Sequence, residues 1–188
     1  LFLAPDYRED CSLDKLSLRL KQYRHPNILH FISSSRTRRT GCLVTERVAP
    51  LSLANTNIEE ESLCLGLLEL CQALSFLHCA GLCHGNVSQG SVFVTQEGRW
   101  RLGGLEMSGP ASPASLAKDV QAFGLMVTEL LVNCQLGASK KFTEFAKTTL
   151  LLPDIRRIPS SEDILKNEYF AQPLPDIFKF LLNFPIQL

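Results

Sequence analysis

From residue 70 to residue 96 the chain runs 27 positions without one Asp, Glu, Lys or Arg. A stretch of that kind either crosses a bilayer, for which about 20 apolar residues suffice, or lies inside a globular core. Gln72, Ser75, His78, His84, Asn86, Ser88, Gln89 and Ser91 interrupt it. Their polar side chains would have no partners in lipid, so the segment reads as core and no transmembrane segment is expected. The chain has 188 residues, 45% of them hydrophobic and only 20% charged, which describes one packed domain.

Lys+Arg and Asp+Glu both number 19, but residues 1–50 hold nine basic and five acidic side chains and the remainder ten and fourteen. Neither part is basic enough for a nucleic-acid binder. Leu1 opens a short apolar tetrad that meets Pro5 and Asp6 with no basic leader, so no signal peptide is expected, and a start on Leu1 reads as a fragment. Seven cysteines, an odd number, are expected to be reduced thiols in a cytosolic or nuclear setting.

Periodicity orders the elements. Leu13, Leu16, Leu18 and Leu20 predict a short helix that His25-Pro26 terminates, because the residue before proline is pushed out of the helical region. Residues 28–33 and 42–47 read as antiparallel strands joined by a turn that carries Arg36, Arg38 and Arg39. Asn57 and Glu60 have capping-box spacing, and Leu63, Leu67, Leu70, Leu74 and Leu77 then predict a long helix. A small hairpin follows over 91–95 and 100–102, then a loop over 108–113. Helices are expected at 119–132, 140–151, 160–166 and 176–183, with Ser160 and Asp163 capping the third of these. Strands gathered in the first part and helices after them give an α+β chain.

The segment 78–94 carries the chemistry. His78, Cys79, Cys83 and His84 fall within seven residues, and the Cys79–Cys83 gap has zinc-ligand spacing, so a small zinc-binding protein is one reading. Against it, one tetrahedral ion could hardly be wrapped by two such adjacent pairs. The other reading takes the long helix ending in Phe76-Leu77-His78, the Gly81 turn, His84-Gly85-Asn86 and the following hairpin together. This run resembles the catalytic loop of a protein kinase, where His-Arg-Asp-Leu-x-x-x-Asn supplies the base and a magnesium ligand.

That resemblance implies a bilobal kinase-like fold with its chemistry removed. His84 keeps its place, Gly85 stands at the Arg, Asn86 at the catalytic Asp, Ser88 at the usual Lys and Ser91 at the magnesium-binding Asn. In Gly103-Gly104-Leu105-Glu106, Gly104 replaces the magnesium-binding Asp, and Glu106 is the only carboxylate nearby. Upstream, Arg24-His25-Pro26-Asn27 resembles the turn after the kinase C-helix, and Glu46, Arg47 and Val48 are hinge candidates. The ATP-clamping Lys would fall near Pro5 or Asp6 and its Glu partner near Lys15 or Leu16; neither residue type is there. Asp119 in Asp119-Val120-Gln121-Ala122-Phe123-Gly124 resembles the F-helix Asp that braces the catalytic loop, a structural role. Only 12 residues separate Glu106 from Asp119, a shortened activation segment, and Ile158-Pro159 stands where kinases keep a buried Arg.

Within kinase-like proteins, these segments with Leu43-Val44-Thr45-Glu46 and Trp100-Arg101-Leu102-Gly103-Gly104-Leu105-Glu106 resemble the Scy-like pseudokinase family, most of all its ezrin-associating branch. The resemblance implies a degenerate kinase-like domain over residues 1–182. Residues 1–49 would form a truncated N-lobe with hinge, 50–182 a mostly helical C-lobe, and 183–188 the start of a C-terminal extension. It implies no catalysis, ATP binding that is weak or absent, and no magnesium. The implied role is a protein-binding scaffold in membrane trafficking or in cell adhesion and migration. Partners would be ezrin-like or vesicle-coat proteins, at the Golgi or the cell periphery. A weak ATP-binding kinase is the rival. Phe180 and Phe184, on an apolar C-terminal segment, are candidate interface residues.

Overall fold

The computed structural model describes residues 2–3, 11–37, 40–53, 60–133, 144–145 and 159–170. Phe180 and Phe184, the expected helix at 176–183, Ile158, the Pro5–Asp6 position, the Asn57 cap and most of 140–151 lie outside the described residues. Strand β1 (Phe2–Leu3) precedes helix α1 (Cys11–Gln22), and β2 (Phe31–Arg36) and β3 (Gly41–Thr45) form a hairpin. After β4 (Val48–Pro50) come α2 (Glu60–Cys79), β5 (Leu82–Cys83), β6 (Val92–Thr95), β7 (Trp100–Leu102) and β8 (Gly109–Pro110). Helices α3 (Pro113–Asn133) and α4 (Ser161–Leu165) complete the described order. Three small antiparallel sheets result, ordered β1-β3-β2, β4-β6-β7 and β5-β8.

Helix α2 is the centre. Leu63, Leu67, Leu70, Leu74 and Leu77 are buried, and Val120, Phe123, Met126, Val127 and Leu130 of α3 belong to the same core. Each such side chain withdrawn from water contributes about 1.5–3 kcal/mol. Ser62–Cys79 is long and apolar enough to span a membrane, but its leucines are spent on this core. Phe145 stacks on Tyr169 with ring centroids 4.7 Å apart, and Phe170 meets Phe145 edge-on, which seats residues 159–170 on the core. Ser160 accepts from the Asp163 N–H at 3.1 Å and Asp163 accepts from the Ser160 N–H at 3.2 Å, the capping box expected there.

Three expectations are corrected. The first strand of the hairpin spans 31–36 rather than 28–33. Ile28 and Leu29 are drawn elsewhere: the Leu29 N–H donates to Leu102 O at 3.0 Å and the Leu102 N–H to Asn27 O at 2.8 Å. The strand therefore runs into the polar serines that read as turn. The 42–47 run stops at Thr45, and a further strand, Val48–Pro50, pairs with β6 instead. Helix α3 begins at Pro113, six residues before the predicted start at Asp119. Ser112 and Ser115 cap each other reciprocally at 2.8 and 3.1 Å, and Pro113 is pre-set for the first helical position.

Candidate functional site

The segment 82–91 leaves α2 through Gly81 and is held from below by α3. Asp119 lies in α3, buried to 2% exposure, and accepts from the His84 N–H at 2.6 Å and the Gly85 N–H at 2.8 Å. His78, from the end of α2, brings Nε2 to the same carboxylate at 3.1 Å and Nδ1 to Ser161 Oγ at 2.9 Å. One carboxylate thus ties three elements to the loop. Burial works against its charge, but the hydrogen bonds from His78, Gly85 and His84 outweigh it and hold Asp119 below the ordinary carboxylate range.

His84 is fully buried, and its ring is used on both sides. Nδ1 accepts from the Asn86 N–H at 3.2 Å, which leaves Nε2–H to donate to Gly103 O at 2.7 Å. This neutral tautomer fastens the 82–91 loop to the segment that follows β7. Burial lowers the His84 pKa, with Asp119 and the Gly103 carbonyl opposing.

The linkage signs follow. The neutral His84 ring contributes stability that is present above 6.5 and lost as pH falls from there toward its lowered native value. His25, lowered first by burial and then by Arg101, acts in the same direction. The Asp119 contribution is present above 3.8 and disappears as pH falls through its lowered native value. Glu69, raised by burial, works the opposite way and gains stability as it takes up its proton, so thermal unfolding is measured in Glu69→Gln from pH 7.5 to 3. Tm should fall below pH 6.5 and again below pH 3.8; a flat profile between 7 and 5 would contradict the neutral His84 and His25.

The remaining loop positions are occupied by structural contacts. Ser91 is 3% exposed; its Oγ donates to Ser88 O at 2.8 Å and accepts from the Ser88 N–H at 3.0 Å. This hydroxyl staples its own loop. Asn86 is exposed. Gly104 has φ +74°, and a Cβ there would lie 3.0 Å from Ser91 Cβ, so a carboxylate residue at this position would be strained and crowded. Gly85 has φ +80°, and a Cβ would approach Met107 O to 2.8 Å, so no arginine fits there without backbone movement. Glu106 follows Gly104 in a 3-10 turn, with one carboxylate oxygen buried and lacking a partner among the described residues.

Of the hinge candidates, Glu46 and Val48 are engaged in the fold and Arg47 is exposed. Glu46 accepts from the His30 N–H at 2.9 Å and from Arg101 Nε at 3.2 Å, and Val48 opens β4 opposite Thr95. The four residues with zinc-ligand spacing do not converge. His78 and His84 are used as described, Cys83 Sγ points to Gly109 O at 3.4 Å, and Cys79 is exposed. Among the described residues no three His, Cys, Asp or Glu side chains are grouped to hold a metal ion.

Two features escaped the sequence reading. Glu69, on α2 immediately before the uncharged stretch, is 1% exposed; it accepts from the Trp100 N–H at 2.7 Å and pairs with Arg99. Burial pushes its pKa up, and the Trp100 amide and Arg99 pull against that shift. Gly66, one turn earlier, lets Trp100 lie flat against α2: a Cβ would come within 2.2 Å of the indole ring.

A long helix carrying a buried histidine loop, braced by a carboxylate from the next helix and preceded by a small set of antiparallel strands, defines a kinase-like α+β fold. Among solved structures, a divergent kinase lacking the glycine-rich loop, which regulates membrane ultrastructure of the Toxoplasma parasitophorous vacuole, matches with a TM-score of 0.69 at 19% identity. The match covers 82% of this chain and 64% of that one, and it shows the fold. No family model matches the chain. In sequence the chain resembles the Scy-like kinase-like proteins. Over its whole length it is 30% identical to the Mus musculus protein associating with the carboxyl-terminal domain of ezrin, and it spans 30% of that protein. It is 35% identical over 47% of its length to the probable inactive serine/threonine-protein kinase scy1 of Dictyostelium discoideum, of which it covers 11%. It is also 28% identical over 51% of its length to a protein kinase domain-containing protein, ppk3, of Schizosaccharomyces pombe, of which it covers 15%.

Proposed function

We propose that this chain is a catalytically inactive kinase-like domain that works as a protein-binding scaffold, in intracellular membrane trafficking or in ezrin-linked adhesion and migration. The observation that carries the inactive reading is the fate of the two metal positions. The Ser91 hydroxyl is committed to the Ser88 backbone, and Gly104 has no side chain to supply a ligand. Phosphoryl transfer depends on positioned charge, and residues so arranged do not fit a magnesium–nucleotide complex. Asn86, at the place of the base, cannot take a proton near neutral pH. The mouse relative's association with ezrin, in a protein more than three times as long, supports ezrin-like partners, with vesicle-coat proteins the other class. The expected location is the cytoplasm, at the Golgi or the cell periphery.

Thermal-shift titration tests the nucleotide part. A ligand that binds the native state must raise its stability. ATP should leave Tm nearly unchanged, with no difference on adding magnesium; a large, magnesium-dependent rise would favour the weak-kinase reading instead.

A further inference from the structure

Strand β2 (Phe31–Arg36) ends its sheet: the order is β1-β3-β2, so among the described residues only one side of it is paired. Every residue after Phe31 in this strand is exposed, Ile32 to 56%. Strands of antiparallel sheets ordinarily cover one face, so a strand open on both faces and along one edge is unusual. The hydrogen-bond parity is fixed at the turn. Thr37 N–H donates to Thr40 O at 2.8 Å, which makes Ser35↔Cys42 and Ser33↔Val44 the bonded pairs and turns the N–H and C=O of Ser34 away from β3. A register shift beside Ile32 and the charge of Arg36 guard the two ends, while the three serines between them carry no charge, proline or bulge.

The described part of α1 and the hairpin carries a basic excess: Lys15, Arg19, Lys21, Arg24 and Arg36 stand against Asp14, which is paired with Arg36. Lys21 Nζ lies 4.8 Å over the ring of Phe31 at the start of β2. Arg38 and Arg39 lie outside the described residues.

We propose that the open edge of β2 docks an extended, acidic peptide segment of a protein partner, which adds as a further strand beside Ser34 while its carboxylates face the basic α1 and β2–β3 region. Main-chain pairing would supply affinity and charge the selectivity. This deepens the scaffold reading, on which it rests, by naming a surface and the chemistry of its occupant.

The test is fluorescence anisotropy on the whole chain with a labelled peptide of about six residues alternating glutamate and valine, the length of a typical strand. A control peptide of equal charge alternates glutamate and proline and lacks half the amides. The first peptide should bind, and Ser34→Pro or the pair Lys21→Glu with Arg24→Glu should weaken it by about tenfold or more. The control should bind unmodified protein no better than those variants bind the first peptide. The Ser34 N–H lies outside the β3 ladder, so proline there is compatible with the hairpin. Should that variant nevertheless fail to fold, amide exchange at Ser34 in unmodified protein should slow about tenfold with the first peptide. Equal binding of the two peptides, unslowed Ser34 exchange, or phosphatidylserine vesicles that bind in place of the peptide would overturn the proposal, the last in favour of a membrane surface. Phosphate transfer by the unmodified chain would overturn the scaffold reading whatever the peptides do; failed peptide binding without such transfer removes only this docking edge.

Discussion

Asp119→Ala is expected to destabilise the domain by about 3–5 kcal/mol, enough to unfold a protein whose total stability is of order 5–15 kcal/mol. The carboxylate is buried and serves the His84 N–H, the Gly85 N–H and His78 Nε2 together. Alanine strands these donors, and each buried unsatisfied group costs about 1–3 kcal/mol. Asp119→Asn keeps the shape but turns an N–H toward one of those donors, so its loss should be smaller and still measurable. Urea unfolding followed by circular dichroism gives both values from the midpoint and slope. An alanine variant within about 1 kcal/mol of the parent would show that α3 does not brace the loop.

Gly66→Ala is the second. In an exposed helix this change stabilises by about 0.8–1 kcal/mol, because glycine is the worse helix former. Here the added Cβ would sit 2.2 Å from the indole of Trp100, a residue 3% exposed whose backbone N–H donates to Glu69. Overpacking a core typically costs about 1–3 kcal/mol, and a ring tethered by its own backbone yields little. The net sign should therefore be destabilising by about 1–2 kcal/mol. Thermal melts decide it by sign alone: a variant more stable than the parent would mean that α2 does not press on Trp100.

How much of this was legible in the sequence depended on whether the signal was local. The α2 leucines repeat at three- and four-residue steps within one helix, and Ser160 sits three residues from Asp163, so both could be read directly. The His84 loop was legible because its residue types and spacing lie within one segment. Helix α3 was read late because Ser108 to Pro113 looks like a loop by composition, although Ser112-Pro113-x-Ser115 also carries a cap signal. Strand β2 was displaced because Asn27 and Leu29, on either side of Ile28, make their backbone hydrogen bonds with Leu102, more than 70 residues away. Glu69 reads as a helix-surface acid; only the fold brings Trp100 N–H to it from 31 positions downstream. The left-handed conformations of Gly85 and Gly104 are equally invisible in sequence, yet they explain why those positions carry no side chain.

On the proposed reading, Asn86→Asp would place a carboxylate at the base position but leave Ser91 stapled and Gly104 without a ligand. The most direct test of the central claim is transfer of radiolabelled phosphate from ATP to a generic protein substrate in magnesium, by the parent, Asn86→Ala and Asn86→Asp. The account predicts no transfer above background by any of the three; robust magnesium-dependent transfer by the parent, abolished in Asn86→Ala, would contradict it.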